Sequence, residues 1–169
     1  WMWGHDSGVY DGPKGPYNIP LSPDISMADA IRYMGIPNVC AIRRGKPEAE
    51  YLRQFQPVKR VAWSLCMSKK KGYEYQEFRR DVLELRETLP NLTGYYLDDF
   101  FRFSDRPGFD RNDEREPAPA GLSMNELVSL REELGAGPRP VELAVVLYTH
   151  QLCPAIRPAM RHMDTVSLW

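Results

Sequence analysis

The sequence predicts an α/β protein: a parallel (β/α) barrel of the TIM type in one domain, residues 1–169, cut short after about six strands. Short apolar runs alternate with longer amphipathic segments. The runs are apolar nearly throughout, as strands buried on both faces are. Polar and aromatic residues gather where the runs end, which is where barrels of this type build their sites.

The strand runs are Trp1–His5, Asn38–Arg43, Val58–Cys66, Leu92–Phe101, Val141–His150 and Thr165–Trp169. Each is rich in Val, Tyr, Trp or Leu and is bounded by Gly, Pro or charge. The first helix, Ser26–Met34, has Ser26 as N-cap and Asp29 three residues on, close to a capping box. Pro47–Phe55 opens on proline, which suits the first helical position. Tyr73–Leu89 repeats Phe78, Val82, Leu85 and Leu89 at helical steps with charges between. Ser123–Leu134 has a full capping box, Ser123 with Glu126, and Gly135 follows its end. Pro154–Met163 contains Pro158, which kinks or shortens it.

A doubly wound nucleotide-binding sheet would place a Gly-rich phosphate loop after its first strand. The residues there, DSGVYDGPKGPYNIPLSPD, hold no GxGxxG, so the barrel is preferred and no cofactor is expected. A complete barrel has eight strands and about 250 residues. The last run meets Trp169, so the final two strands are expected to lie outside this sequence.

The formal net charge is −1, from 22 basic and 23 acidic side chains, so the basic footprint of a nucleic-acid binder is missing. Lys69, Lys70 and Lys71 read as a solvated loop. No apolar stretch approaches the roughly 20 residues of a membrane span. The chain opens on Trp1 rather than Met, which leaves localisation open, and nothing fixes an oligomeric state. Cys40, Cys66 and Cys153 are scattered, with no CxxC pair, so neither a disulfide scaffold nor a zinc site is expected. Cys40 and Cys66 lie inside apolar runs and read as core.

The chemistry gathers on the fourth run, where Asp98 and Asp99 follow Gly94-Tyr95-Tyr96-Leu97 and precede Phe100-Phe101. Side chains alternate along a strand, so the two carboxylates cannot both face the barrel axis. If Gly94 and Tyr96 face it, Asp98 does too, and Asp99 turns to a loop or helix. A carboxylate among Tyr and Phe is costly unless its charge is partnered or used.

These residues resemble the strand-four motif of glycoside-hydrolase-type barrels, including uncharacterised bacterial glycosidase-like proteins. In the alpha-amylase-like and alpha-galactosidase-like families the strand-four aspartate is the nucleophile. Gly94, Tyr95, Leu97 and Asp98 match the amylase-like pattern Gly-Phe-Arg-Leu-Asp, which implies that role for Asp98. Tyr96 replaces the family arginine, and Phe100 stands where the chitinase-like pattern has its acid glutamate. The resemblance implies a carbohydrate ligand or substrate, with Asp98 and Asp99 as the catalytic candidates.

Glycoside hydrolysis usually needs two carboxyl groups across the bond. Asp6 is one candidate partner, and the alternative is an acid on a loop or beyond Trp169. His5, Asp6, Tyr96, Tyr148 and His150 are expected to line the pocket, with Trp3 and Trp169 as flat platforms for sugar faces. Trp63 reads as core. Asp110, Asn112 and Asp113 hint at calcium spacing, but Phe103–Gly121 lacks the EF-hand glycine and terminal Glu and reads as a solvated loop. The Asn91-Leu92-Thr93 sequon starts a buried strand and reads as coincidence. The rivals are a non-catalytic sugar-binding barrel and a metal-dependent hydrolase or isomerase using His5, Asp98 and His150.

Overall fold

The computed structural model describes residues 1–5, 25–43, 47–66, 75–102, 118–119 and 122–169. The expectations for Asp6, Lys69–Lys71, Asp110, Asn112 and Asp113 lie outside them, as do the side chains of Cys66, Phe78 and Val82.

The strands of the main sheet are β1 (Met2–His5), β2 (Asn38–Ile42), β3 (Arg60–Cys66), β4 (Leu92–Asp98), β5 (Glu142–Leu147) and β6 (Thr165–Leu168). They form one parallel sheet in sequence order, β1-β2-β3-β4-β5-β6. The connecting segments carry α1 (Met27–Met34), α2 (Ala49–Leu52), α3 (Tyr75–Thr88), α4 (Met124–Gly135) and α5 (Arg157–Met160). A helix in every crossover between sequential parallel strands is the order of a TIM-like barrel wall, and the fold is α/β of that kind. No described helix is long and apolar enough to cross a membrane.

The chain divides into two compact units. The first comprises Trp1–Ser64 and Glu84–Thr93. Here β1 and β2 pair in the register Trp3↔Cys40, and β2 and β3 pair with Cys40 opposite Ala62. The Ser26 hydroxyl accepts from the Asp29 N–H, and Gly35 closes α1 at φ +67°, a left-handed conformation that glycine adopts without strain. Trp63 is buried, and its ring meets Phe55 at 5.7 Å and Tyr51 at 6.4 Å, both edge-to-face. That is the core role expected of it, and Cys40 is buried as well.

The second unit comprises Leu65–Leu83 and Gly94–Trp169. Tyr96 lies opposite Ala144 across β4 and β5, and Val145 opposite Val166 across β5 and β6. The capping box of α4 forms in both directions between Ser123 and Glu126. The helix buries Leu127, Leu130 and Leu134 completely, and the Leu134 carbonyl accepts from the Val141 N–H just ahead of β5. Asp164 ties the start of β6 to β5: its carboxylate accepts from the Leu143 N–H at 2.8 Å and from Arg131 at 2.7 Å. Arg79 on α3 pairs with Glu133 on α4.

Several boundaries differ from expectation. The second helix has four residues, with no side-chain bond from Glu48 at its N-cap, and passes into a 3-10 turn, Arg53–Phe55. Gly135 is the last residue of α4 rather than the residue after it. The segment around Pro158 becomes a 3-10 turn, Pro154–Ile156, followed by the short α5. Finally, β4 stops at Asp98 and β5 at Leu147, both short of the expected run ends.

Candidate functional site

The site builds up from the ends of β4, β5 and β6 in the second unit. Gly94 lets β4 lie close to β5, since a Cβ there would stand 3.1 Å from the Glu142 carbonyl oxygen. Tyr95, Tyr96 and Leu97 are buried, which fixes the strand on both faces up to its last residue. Asp98, half-buried, ends it. Asp99 then adopts φ +50°, a left-handed conformation that short polar side chains tolerate better than most. Phe100 and Phe101 return to the core, and their rings meet edge-to-face at 5.0 Å. The pair anchors a sharp turn whose only exposed residue is Asp99.

Beyond β5, Tyr148 is extended, and Thr149–Gln151 forms a 3-10 turn. The Tyr148 hydroxyl donates to Asp99 Oδ1 at 3.1 Å, and the Tyr148 ring stacks on His150 at 5.6 Å. Gln151 is buried; its Oε1 accepts from the Tyr148 N–H at 2.9 Å, and its Nε2 donates to the Phe101 carbonyl at 2.7 Å. The end of β6 joins the same cluster through backbone. Trp169 N–H donates to the Leu147 carbonyl, and the Trp169 carbonyl accepts from the Thr149 N–H, both at 2.9 Å. The Trp169 indole is 58% exposed and donates to Ser167 Oγ.

The carboxyl of Asp98 is pushed above the ordinary aspartate range. Burial is the main cause, the neighbouring Asp99 charge adds to it, and a hydrogen bond from the Asp99 backbone N–H partly opposes it. A carboxyl in this state holds its proton into less acidic solution and can donate it.

The strand ends therefore bring together Asp98, Asp99, Tyr148, His150 and Trp169. Asp99 turns to the loop after β5, one of the directions open to it. Tyr96 is 2% exposed. Trp3 and His5, both half-buried on β1, belong to the other unit, and Asp6 is outside the described residues. The residue that sequence reasoning missed is Gln151. Its only sequence signal is a glutamine three residues past Tyr148 in a stretch that reads as a strand end.

Among the described residues, no group of three or more His, Cys, Asp or Glu side chains is placed to hold a metal ion. Asn91 is engaged rather than displayed: its Nδ2 donates to the Phe55 and Val58 carbonyls. No protein-family model matches the chain, and no curated protein matches it.

Proposed function

We propose that this chain is a glycoside-hydrolase-like protein that acts on or binds carbohydrate, with Asp98 as the key carboxylate. The observation that carries the reading is a half-buried Asp98 of raised proton affinity at a parallel strand end, next to an Asp99 engaged by Tyr148. The raised affinity favours proton donation to a departing glycosidic oxygen over nucleophilic attack, which requires the ionised form. Asp99, exposed beside it, is an acceptor for sugar hydroxyls. The Tyr148–His150 stack and the exposed Trp169 indole offer flat apolar faces of the kind that sugar rings cover.

A panel of aryl glycosides and oligosaccharides, run with wild type and Asp98→Asn, tests this. Hydrolysis that Asp98→Asn abolishes supports it, and hydrolysis that survives the substitution removes Asp98 from the chemistry. Sugar binding without turnover by wild type would identify a binding protein instead. A stoichiometric divalent ion in the purified protein would replace the glycosidase reading with a metal-dependent one.

A further inference from the structure

We propose that Gln151 is the positioning residue of this site, the buried brace that sets the Tyr148 hydroxyl on Asp99. The inference rests on the reading of Asp98 and Asp99 given above.

A glutamine only 4% exposed must have its amide satisfied, and both ends of this one are. The partners are backbone groups of two different segments. The Tyr148 N–H follows β5, and the Phe101 carbonyl stands two residues beyond Asp99. A side chain that accepts at one oxygen and donates at one nitrogen is needed to satisfy both, and glutamine supplies that pair in a single planar group. The Gln151 N–H also donates to the Tyr148 carbonyl at 2.8 Å, which closes the 3-10 turn around the residue it braces.

The same two segments meet a second time on the open side, where Tyr148 donates to Asp99 at 3.1 Å. That bond is exposed and competes with water, so it holds only while the ring is kept within reach. The stack on His150 and the bond of the buried Gln151 amide to the Tyr148 backbone both help keep it there. Gln151 thus acts on the carboxylate pair through Tyr148 and makes no hydrogen bond to either aspartate.

The test uses ¹³C-labelled full chain and follows the Asp99 carboxyl resonance at neutral pH. Tyr148→Phe removes the hydroxyl and defines the resonance position without its hydrogen bond. Gln151→Met keeps the length of the side chain and loses both amide bonds. It is expected to move the Asp99 resonance in the same direction as Tyr148→Phe. The double variant is expected to move it no further, because both changes break one coupled unit. A lowered melting temperature with an unmoved Asp99 resonance would make Gln151 a brace of the fold alone and overturn the proposal. So would full additivity in the double variant.

If Gln151→Met does not fold, Gln151→Asn keeps a neutral amide but is one methylene shorter, so it cannot bridge Tyr148 and Phe101 together, and the same shift is expected of it. The glycoside panel on the same proteins separates the two readings. Coupling without any sugar hydrolysis or binding supports the role of Gln151 and sinks the carbohydrate function. Sugar hydrolysis without coupling sinks the positioning role alone.

Discussion

Replacing Asn91 with alanine removes a side chain that ties the turn before β4 to the segment ahead of β3. Its Nδ2 donates to the Phe55 carbonyl at 2.8 Å and to the Val58 carbonyl at 2.5 Å. The Phe55 carbonyl keeps a second donor, the Val58 N–H at 3.0 Å, so the Val58 carbonyl bears most of the loss. Leaving a buried acceptor without its donor costs about 1–3 kcal/mol, and the lost second bond at Phe55 about 0.5 kcal/mol more. Against this, Asn91→Ala also removes Oδ1, which is buried with no hydrogen-bond partner, and that relief offsets roughly 1 kcal/mol. The net expectation is about 0.5–2.5 kcal/mol, or about 1–10 °C in melting temperature for a chain of this length. Circular dichroism melts measure it. Asn91→Asp should be worse at neutral pH, because a carboxylate would face two carbonyl oxygens. The introduced carboxyl would have its folded-state pKa raised, so its penalty is small below the ordinary aspartate range and grows as pH rises through the raised value. An Asn91→Ala melt indistinguishable from wild type, or an Asn91→Asp penalty that shrinks as pH rises, would refute this account.

Asp98 gives a prediction of the same sign from the native sequence. Its folded-state pKa is raised, so the stability it contributes is present below the ordinary aspartate range and lost as pH rises through the raised value. Asp98→Asn is therefore expected to raise the melting temperature more at pH 7 than at pH 4, and an equal gain at both would contradict the burial argument. Gly94→Ala would put a Cβ 3.1 Å from the Glu142 carbonyl oxygen and 3.3 Å from its Cβ. Backbone has little room to yield, so a loss of about 1–3 kcal/mol is expected, read as a lower urea midpoint at unchanged slope. Burial pushes the Cys40 thiol up to about 11. Mass spectrometry of the native protein treated with iodoacetamide at pH 8 should show buried Cys40 reacting markedly more slowly than half-buried Cys153. Equal rates would mean that β2 opens readily.

The strands were legible in the sequence because parallel strands buried on both faces read as continuous apolar runs, and each of the six runs contains a strand. Two helix starts were legible for a different reason. Ser26 and Ser123 carry their acidic partners three residues on, and that spacing lies within one turn. The site was only half legible. Alternation separates Asp98 from Asp99, but it assumes an unbroken strand, and here the backbone leaves the strand at Asp99 by turning left-handed. No glycine marks that turn; the Phe100–Phe101 pair enforces it by burying both rings just beyond. Gln151 stayed hidden because a lone glutamine after an apolar run looks like any solvated residue. Only the approach of the Phe101 carbonyl, fifty positions away in sequence, makes it structural.

The same Asn91 that ties two segments together has a consequence for how the protein can be made. Its sequon, Asn91-Leu92-Thr93, is hidden in the folded chain by the two bonds to Phe55 and Val58. A eukaryotic secretory host meets the chain before it folds, when that asparagine is open to glycosylation. A glycan on Nδ2 would leave the nitrogen a single hydrogen to share between two carbonyls and would wedge a bulky group into the turn. Protein from such a host would divide into a folding fraction and a sugar-bearing fraction that cannot close the turn. Thr93→Val would prevent the division, giving up only the 3.4 Å contact of the Thr93 hydroxyl with the Val61 carbonyl.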